Sequence, residues 1–380
     1  MTGEIEPSEF IEVRRRIFNH LDALDSLDAL FEFQAQLALE ILHAESLKAR
    51  IQKDKGRRLI LRDHMRQLRS YGDSLAWLML HSHTIRQLGK NEPNPPWLTQ
   101  QQNALGEALD IVKELGSRGI AGIVADLTNI VRIGDVISVT DPECPEIIEL
   151  KASAVPEERK YLGRRGRQLS RMEGTGKYLK EGRARVYGED LTRLVIESNV
   201  PVSHTFDWVA EAVANAHDIG QAWRRISDHQ LVIAIQEDVE IIVPNDIDLS
   251  CFSGRPIVIG SHMRPLEESW TTIAPPFGWP LPADHRFLLM EGEIMVIQIL
   301  DLTAFLGFSH GGGKIVDVDA THEKIGSGLF RVRFGDRVVH IPSTMVRQVV
   351  YSHQTVKYVA QKMIEIAAAV VELKPEEGAV

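Results

Sequence analysis

The residues best suited to chemistry in this chain are Asp135, Glu149 and Lys151, set in Ile133-Gly134-Asp135-Val136-Ile137 and Ile147-Ile148-Glu149-Leu150-Lys151. Successive side chains on a strand alternate faces, so Glu149 and Lys151 share one face and Leu150 takes the other. Asp135 and Glu149 are equidistant from Pro142. An antiparallel hairpin turning about Asp141-Pro142-Glu143 therefore makes the two acids cross-strand neighbours. Paired carboxylates repel unless a proton or a cation lies between them. A hard cation such as Mg²⁺, with Mn²⁺ as its substitute, takes one or two carboxylates plus water and a phosphate oxygen. A lysine within reach can orient or deprotonate an attacking water and favours phosphate charge. The pattern predicts metal-assisted phosphodiester hydrolysis. The competing reading is an edge strand whose Glu and Lys prevent edge-to-edge association.

The elements that must position these residues begin near Leu98. A helix carrying Leu105, Leu109, Val112 and Leu115 is expected to stop at Gly116. Three Val/Ile-rich segments follow, over 120–127, 130–139 and 146–152, and read as strands. Pro156 opens an Arg-rich helix to about Gly182. An apolar run at 194–197, a helix over 206–223 and a strand over 231–235 complete the order α-β-β-β-α-β-α-β, a mixed sheet covered by helices. Residues 1–90 form a separate helical bundle, with Ser26 capping its second helix and a third helix from about Leu59 to Leu88. The stretch Asn91-Glu92-Pro93-Asn94-Pro95-Pro96 breaks the helical pattern and marks a boundary. The fold class is thus α/β in the sense of an α+β mixed sheet, with a core over 98–242 and an α+β region over 243–380.

The chain has 380 residues and a net charge of −10, which excludes a generic nucleic-acid coating protein. The charge is uneven. Between Arg159 and Arg185 ten Lys/Arg face only Glu173 and Glu181, and between Lys48 and Arg69 nine Lys/Arg face Asp54 and Asp63. Either run alone reads as a solvated helix face; the first gains meaning from following the Glu149–Lys151 strand. The acidic start Met1-Thr2-Gly3-Glu4 has no apolar h-region, and no stretch is long enough to span a bilayer, so a cytoplasmic location without membrane contact is expected. Cys144 and Cys251 mark neither a disulfide framework nor a zinc site.

On the Gly134-Asp135 and Glu149-Leu150-Lys151 segments the chain resembles the PD-(D/E)xK, or restriction-endonuclease-like, nuclease superfamily, over about residues 98–240. The resemblance implies a helix, three meandering strands, a helix and a further strand. It implies a Mg²⁺-dependent nuclease, a DNA endonuclease of restriction or phage defence, with Asp135 and Glu149 as metal ligands and Lys151 catalytic. It adds the Leu150 carbonyl as a further metal ligand and Glu107 as an acid on the preceding helix, with Glu114 behind it. Gln168 fits the glutamine of the following helix, while position 172 is Met where one branch has tyrosine. Arg164, Arg165, Arg167 and Arg171 then read as phosphate contacts. A catalytically inactive nuclease-fold protein binding nucleic acid or a partner is the alternative. The N-terminal helices are expected to serve a second copy or a regulatory protein.

Other motifs carry less. His310-Gly311-Gly312-Gly313 looks like an esterase oxyanion turn, but no G-x-S-x-G elbow exists. Gly174-Thr175-Gly176-Lys177 and Gly311-Gly312-Gly313-Lys314 lack the Ser/Thr of a P-loop. His81 and His83 are two apart on a helix and do not form a metal pair. Trp77, Trp97, Trp208 and Trp223 are expected in cores.

Overall fold

The structure, a computed structural model, describes residues 7–51, 54–89, 96–150, 163–185, 192–194, 198, 200–253, 255–261, 274–318, 328–342 and 345–372. The chain divides into two compact units, Met1–Leu194 with Glu267–Gly278, and Val195–Leu266 with Trp279–Val380. The fold is α+β, and every strand pairing among the described residues is antiparallel, where a mixed sheet was expected.

The first unit opens with α1 (Pro7–Asp22), α2 (Leu27–Arg50), α3 (Lys55–Met79) and α4 (Ser82–Leu88). Ser26 caps α2 by accepting from the Ala29 amide, as its position predicts. The helix expected over 59–88 is two helices. Leu80 leaves helical geometry, and the His81 amide donates instead to the Pro142 carbonyl at 2.9 Å. The Thr84 hydroxyl donates to the carbonyls of Pro142 and Glu143. No Gly or Pro marks this break, because its cause is a tertiary bond.

After a short 3₁₀ turn come α5 (Gln102–Ser117), β1 (Ala121–Val124), β2 (Val136–Val139) and β3 (Glu146–Ile148). The strands form a sheet in the order β1-β2-β3. Leu105, Ala108, Val112 and Leu115 give α5 one buried stripe, and the helix packs on β1 and β2. Residues 130–135, expected in the strand, are irregular. The buried Asp73 carboxylate accepts the amides of Asn129 and Ile130 and so holds that segment off the ladder. Then follow α6 (Gly163–Glu181), β4 (Arg183–Arg185) and β5 (Thr192–Leu194), the last two a separate ribbon.

The helical region is not a domain apart from this sheet. The Gln34 amide on α2 accepts from the Val124 amide at 2.8 Å and donates to the Gly122 carbonyl at 2.9 Å, completing the open edge of β1 as a strand would. Glu45 of α2 accepts the amides of Leu98 and Thr99 and pairs with Arg69 of α3, both side chains buried. These bonds cross the boundary expected at 91–97 and place both sides of it in one core.

The second unit contains α7 (Phe206–Ile219), β6 (Gln221–Ser227), β7 (Gln230–Gln236), β8 (Ile257–Ser261), α8 (Ala283–Glu291) and β9 (Ile294–Asp301). It continues with β10 (Ser309–His310), β11 (Gly313–Val318), β12 (Gly328–Phe334), β13 (Arg337–Pro342), α9 (Val346–Val350) and α10 (Val356–Glu372). One sheet runs β6-β7-β9-β8 and the other β10-β11-β12-β13. Strand β7 is buried on both faces: Val232 and Ala234 meet α7, while Leu231, Ile233 and Ile235 meet Trp223 and Phe252. The helix expected over 206–223 ends at Ile219, because Gly220 takes φ +89° and releases Trp223 into β6. Compactness therefore separates the expected 98–242 core at 194/195, and its last helix and strand belong to this unit.

Replacing Gln34 by Leu, of similar size, leaves a buried donor and a buried acceptor of β1 unpaired. It should lower unfolding stability by about 1–3 kcal/mol. Urea unfolding followed by tryptophan fluorescence checks this; a change within about 0.5 kcal/mol, the size of an ordinary surface substitution, would show that Gln34 does not hold the sheet edge.

Candidate functional site

Strands β2 and β3 pair Val136 with Ile148, Ile137 with Ile147 and Ser138 with Glu146. This is the register expected from the turn about Pro142, and the pairing ends at Val136 and Ile148. At that end the ladder changes. Gly134 takes φ +82°, and the Asp135 amide donates to the Ile148 carbonyl at 2.8 Å. The Leu150 amide donates to Asp135 Oδ2, also at 2.8 Å. On its other side the Asp135 carbonyl accepts from the Ala125 amide at 3.0 Å. Asp135 thus joins all three strand ends, and the two residues flanking Glu149 are both bonded to it. Both acids are half-buried.

Gly134 is required for this bend. A Cβ there would meet Ile147 Cγ2 at 2.5 Å and the Ile148 carbonyl oxygen at 3.2 Å, and L side chains disfavour that φ.

Among the described residues Asp135 Oδ1 accepts no hydrogen bond, so one carboxylate oxygen is uncommitted while the other is held by Leu150. No group of three or more His, Cys, Asp or Glu among the described residues is arranged for a metal. A Mg²⁺ site of one or two carboxylates completed by water and phosphate does not need three such side chains. The two acids fit that kind of site and do not fit a zinc cage.

The other expected residues are placed unequally. Lys151 lies outside the described residues. Gln168, Arg164, Arg165 and Arg167 fall within α6, but their side chains lie outside the description; Arg171 is half-buried on the same helix. That helix packs against β3 and α4, with Tyr178 buried and its ring 5.3 Å from that of His83. Glu107 is exposed, off the buried stripe of α5, so the structure does not set it in the layer between helix and sheet. Glu114 pairs with Arg118 at the surface.

The Gly-rich turn after His310 is a two-residue hairpin between β10 and β11, with φ +53° at Gly311 and +82° at Gly312. Both positive angles belong to a type I′ turn, which explains the glycines without an oxyanion role. Trp97 and Trp208 are 38 % and 43 % exposed rather than in a core, whereas Trp223 is buried.

The second unit holds a cluster that sequence reading missed. Asp301, fully buried at the end of β9, accepts through Oδ2 from His229 Nδ1 at 2.8 Å, Arg255 Nη1 at 2.7 Å and the Thr303 hydroxyl at 2.7 Å. Its Oδ1 caps the following turn through the Thr303 amide. An ionised carboxylate only accepts, so this network assigns the His229 proton to Nδ1. Burial pushes the Asp301 carboxyl up, but hydrogen bonds from Arg255, His229 and Thr303 outweigh it and hold the pKa at about 2. Arg255 and His229 lie 46 and 72 residues from Asp301, so no spacing signals the cluster. The Asp-Leu-Thr capping pattern at 301–303 is its only local trace.

No protein-family model, no curated protein and no solved structure matches this chain.

Two outcomes follow from this geometry. Gly134→Ala should destabilise the chain by about 1–2 kcal/mol, measured by urea unfolding; unchanged stability would mean the bend at Asp135 does not need glycine. For Asp301 the folded pKa lies below the ordinary 3.8, so its contribution is present above about pH 4. It is lost as the pH falls towards 2. Asp301→Asn should remove this part of the acid sensitivity, read from unfolding curves between pH 5 and 2; equal slopes for both proteins would refute it.

Proposed function

We propose that the chain is a metal-dependent nuclease hydrolysing phosphodiester bonds, built around a restriction-endonuclease-like core and acting on DNA as an endonuclease in a restriction or phage-defence setting. The observation that carries this reading is the β2–β3 hairpin, at whose end Asp135 bonds the Ile148 carbonyl and the Leu150 amide on either side of Glu149, beside a basic helix packed on β3. The order α5-β1-β2-β3-α6 supports it. Asp135 and Glu149 bind the cation, and Asp135 is held for that task by the Leu150 amide. A bound Mg²⁺ supplies Lewis acidity and a more acidic water. Lys151, in the E-x-K position, orients the attacking water and stabilises charge on the phosphate. The arginines of α6 draw the backbone phosphates to the site.

One observation favours a second reading, a nuclease-fold protein that binds nucleic acid without cutting it. Asp135 has a structural duty towards Leu150 that would preserve the residue without catalysis. Asp135→Asn separates the two, because an amide oxygen can still accept from Leu150 while the negative charge is gone. The catalytic reading expects plasmid cleavage in Mg²⁺ or Mn²⁺ to fall by at least about a hundredfold in Asp135→Asn, Glu149→Ala and Lys151→Ala, with the melting temperature of Asp135→Asn close to that of the parent. If all three cut as well as the parent protein, the site is wrong; if the parent binds but never cuts, the second reading holds.

A further inference from the structure

The second unit carries a surface of the opposite sign. Between Arg225 and Arg255 the sequence has no Lys or Arg, yet it has Asp228, Glu237, Asp238, Glu240, Asp246 and Asp248. Inside this stretch Ile241, Ile242 and Val243, three β-branched residues in a row, are 54 %, 61 % and 44 % exposed. Their neighbours behave differently: Val239, Ile247 and Leu249 pack against the core of Trp223, Ile233 and Phe252. The segment is thus held to the core on both sides while its apolar middle stays at the surface.

Contacts from α7 and β6 fix its position. The Gln221 side chain of β6 donates to the Ile242 carbonyl at 2.9 Å and accepts from the Ile242 amide at 3.1 Å. The Gln236 amide donates to the Gly220 carbonyl at 2.8 Å, and its side chain donates to the His217 carbonyl at 2.9 Å. Residues 217–221 are therefore bonded to both ends of 236–242, with Asp218 and the 76 % exposed Ile219 beside that segment. Both backbone groups of Ile242 are taken by Gln221, whereas those of Ile241 and Val243 bond nothing among the described residues. This alternation is that of a strand with one open edge. Ile and Val suit strand pairing, and such an edge is a template for another strand. Asp218, Glu237, Asp238, Glu240 and Asp246, on and next to the segment, are all exposed, and none pairs with a cation.

We propose that residues 241–243 dock a segment of another protein in which Lys or Arg alternates with apolar residues, added as a strand along this edge. Backbone bonds to Ile241 and Val243 supply affinity, and the acids select a basic partner. The same acids oppose a second copy docking through the same segment, because like charges across a strand pair repel. The proposal concerns the second unit and does not depend on the nuclease reading.

The test uses the full chain and two fluorescent peptides, one alternating Lys with Val and one alternating Glu with Val, each about eight residues long to match an ordinary strand. The Lys–Val peptide should bind, and the Glu–Val peptide should bind at least about tenfold more weakly. Glu237→Lys with Glu240→Lys should weaken Lys–Val binding at least about tenfold, with an unchanged melting temperature as the control for folding. Amide exchange should slow on binding at Ile241 and Val243 and change little at Ile242, whose amide already has a partner. The proposal is overturned if the Lys–Val peptide does not bind, or if the folded charge variant binds it like the parent. It is also overturned if the peptide binds without protecting Ile241 and Val243, which is adhesion to the acids alone. A parent chain that self-associates, with Ile242→Lys restoring the monomer in analytical ultracentrifugation, assigns the edge to a second copy and overturns it as well.

Discussion

The register between β2 and β3 is the constraint on which the candidate site depends. Side chains alternate along a strand with period two, so a slip of one residue would send Asp135 to the other face and break its bonds to the residues on either side of Glu149. Three features hold that register. Val136 and Ile137 are fully buried, which makes a slip expensive. The turn carbonyls at 142 and 143 are taken by His81, just before α4, and by Thr84 of α4, so the hairpin tip is anchored from outside the sheet. Gly134 then bends the strand where the ladder ends, and Asp135 takes up the Leu150 amide.

The same unit uses buried polar groups where apolar packing has no direction to offer. Gln34, Glu45, Arg69 and Asp73 are all buried, and each bonds backbone belonging to the segment around the sheet. Such groups are costly when unpaired, so each enforces one arrangement of α2 and α3 against β1 and the loop before β2. Burial pushes the Asp73 carboxyl up to about 6, while its bonds from Asn129 and Ile130 pull the other way. The helical bundle is therefore part of the scaffold that positions Asp135, in addition to any surface it offers to ligands.

Charge is distributed with the opposite logic. The chain is acidic, yet its cations collect on α6 and on the α2–α3 pair, both in the unit that contains Asp135 and Glu149. An acidic remainder weakens indiscriminate binding to polyanions and leaves attraction concentrated at these faces. The second unit follows another pattern, in which Asp301 gathers His229 and Arg255 around one buried oxygen.

Much of the fold was legible from local pattern. The Ser26 cap, the apolar stripe of α5, the strand over 231–235 and the register about Pro142 all follow from periodicity and turn position, which act over a few residues. The hairpin that sets Asp135 against the residues flanking Glu149 was legible for the same reason, because it depends on a single turn. Tertiary structure alone decided where α3 breaks, why 130–135 leaves the ladder, that the chain divides at 194/195 and that Glu107 turns away from the sheet. It also decided that Trp97 stays at the surface and that Asp301, His229 and Arg255 meet. These outcomes depend on hydrogen bonds and burial between residues tens of positions apart, and no period along the chain encodes a partner at that distance.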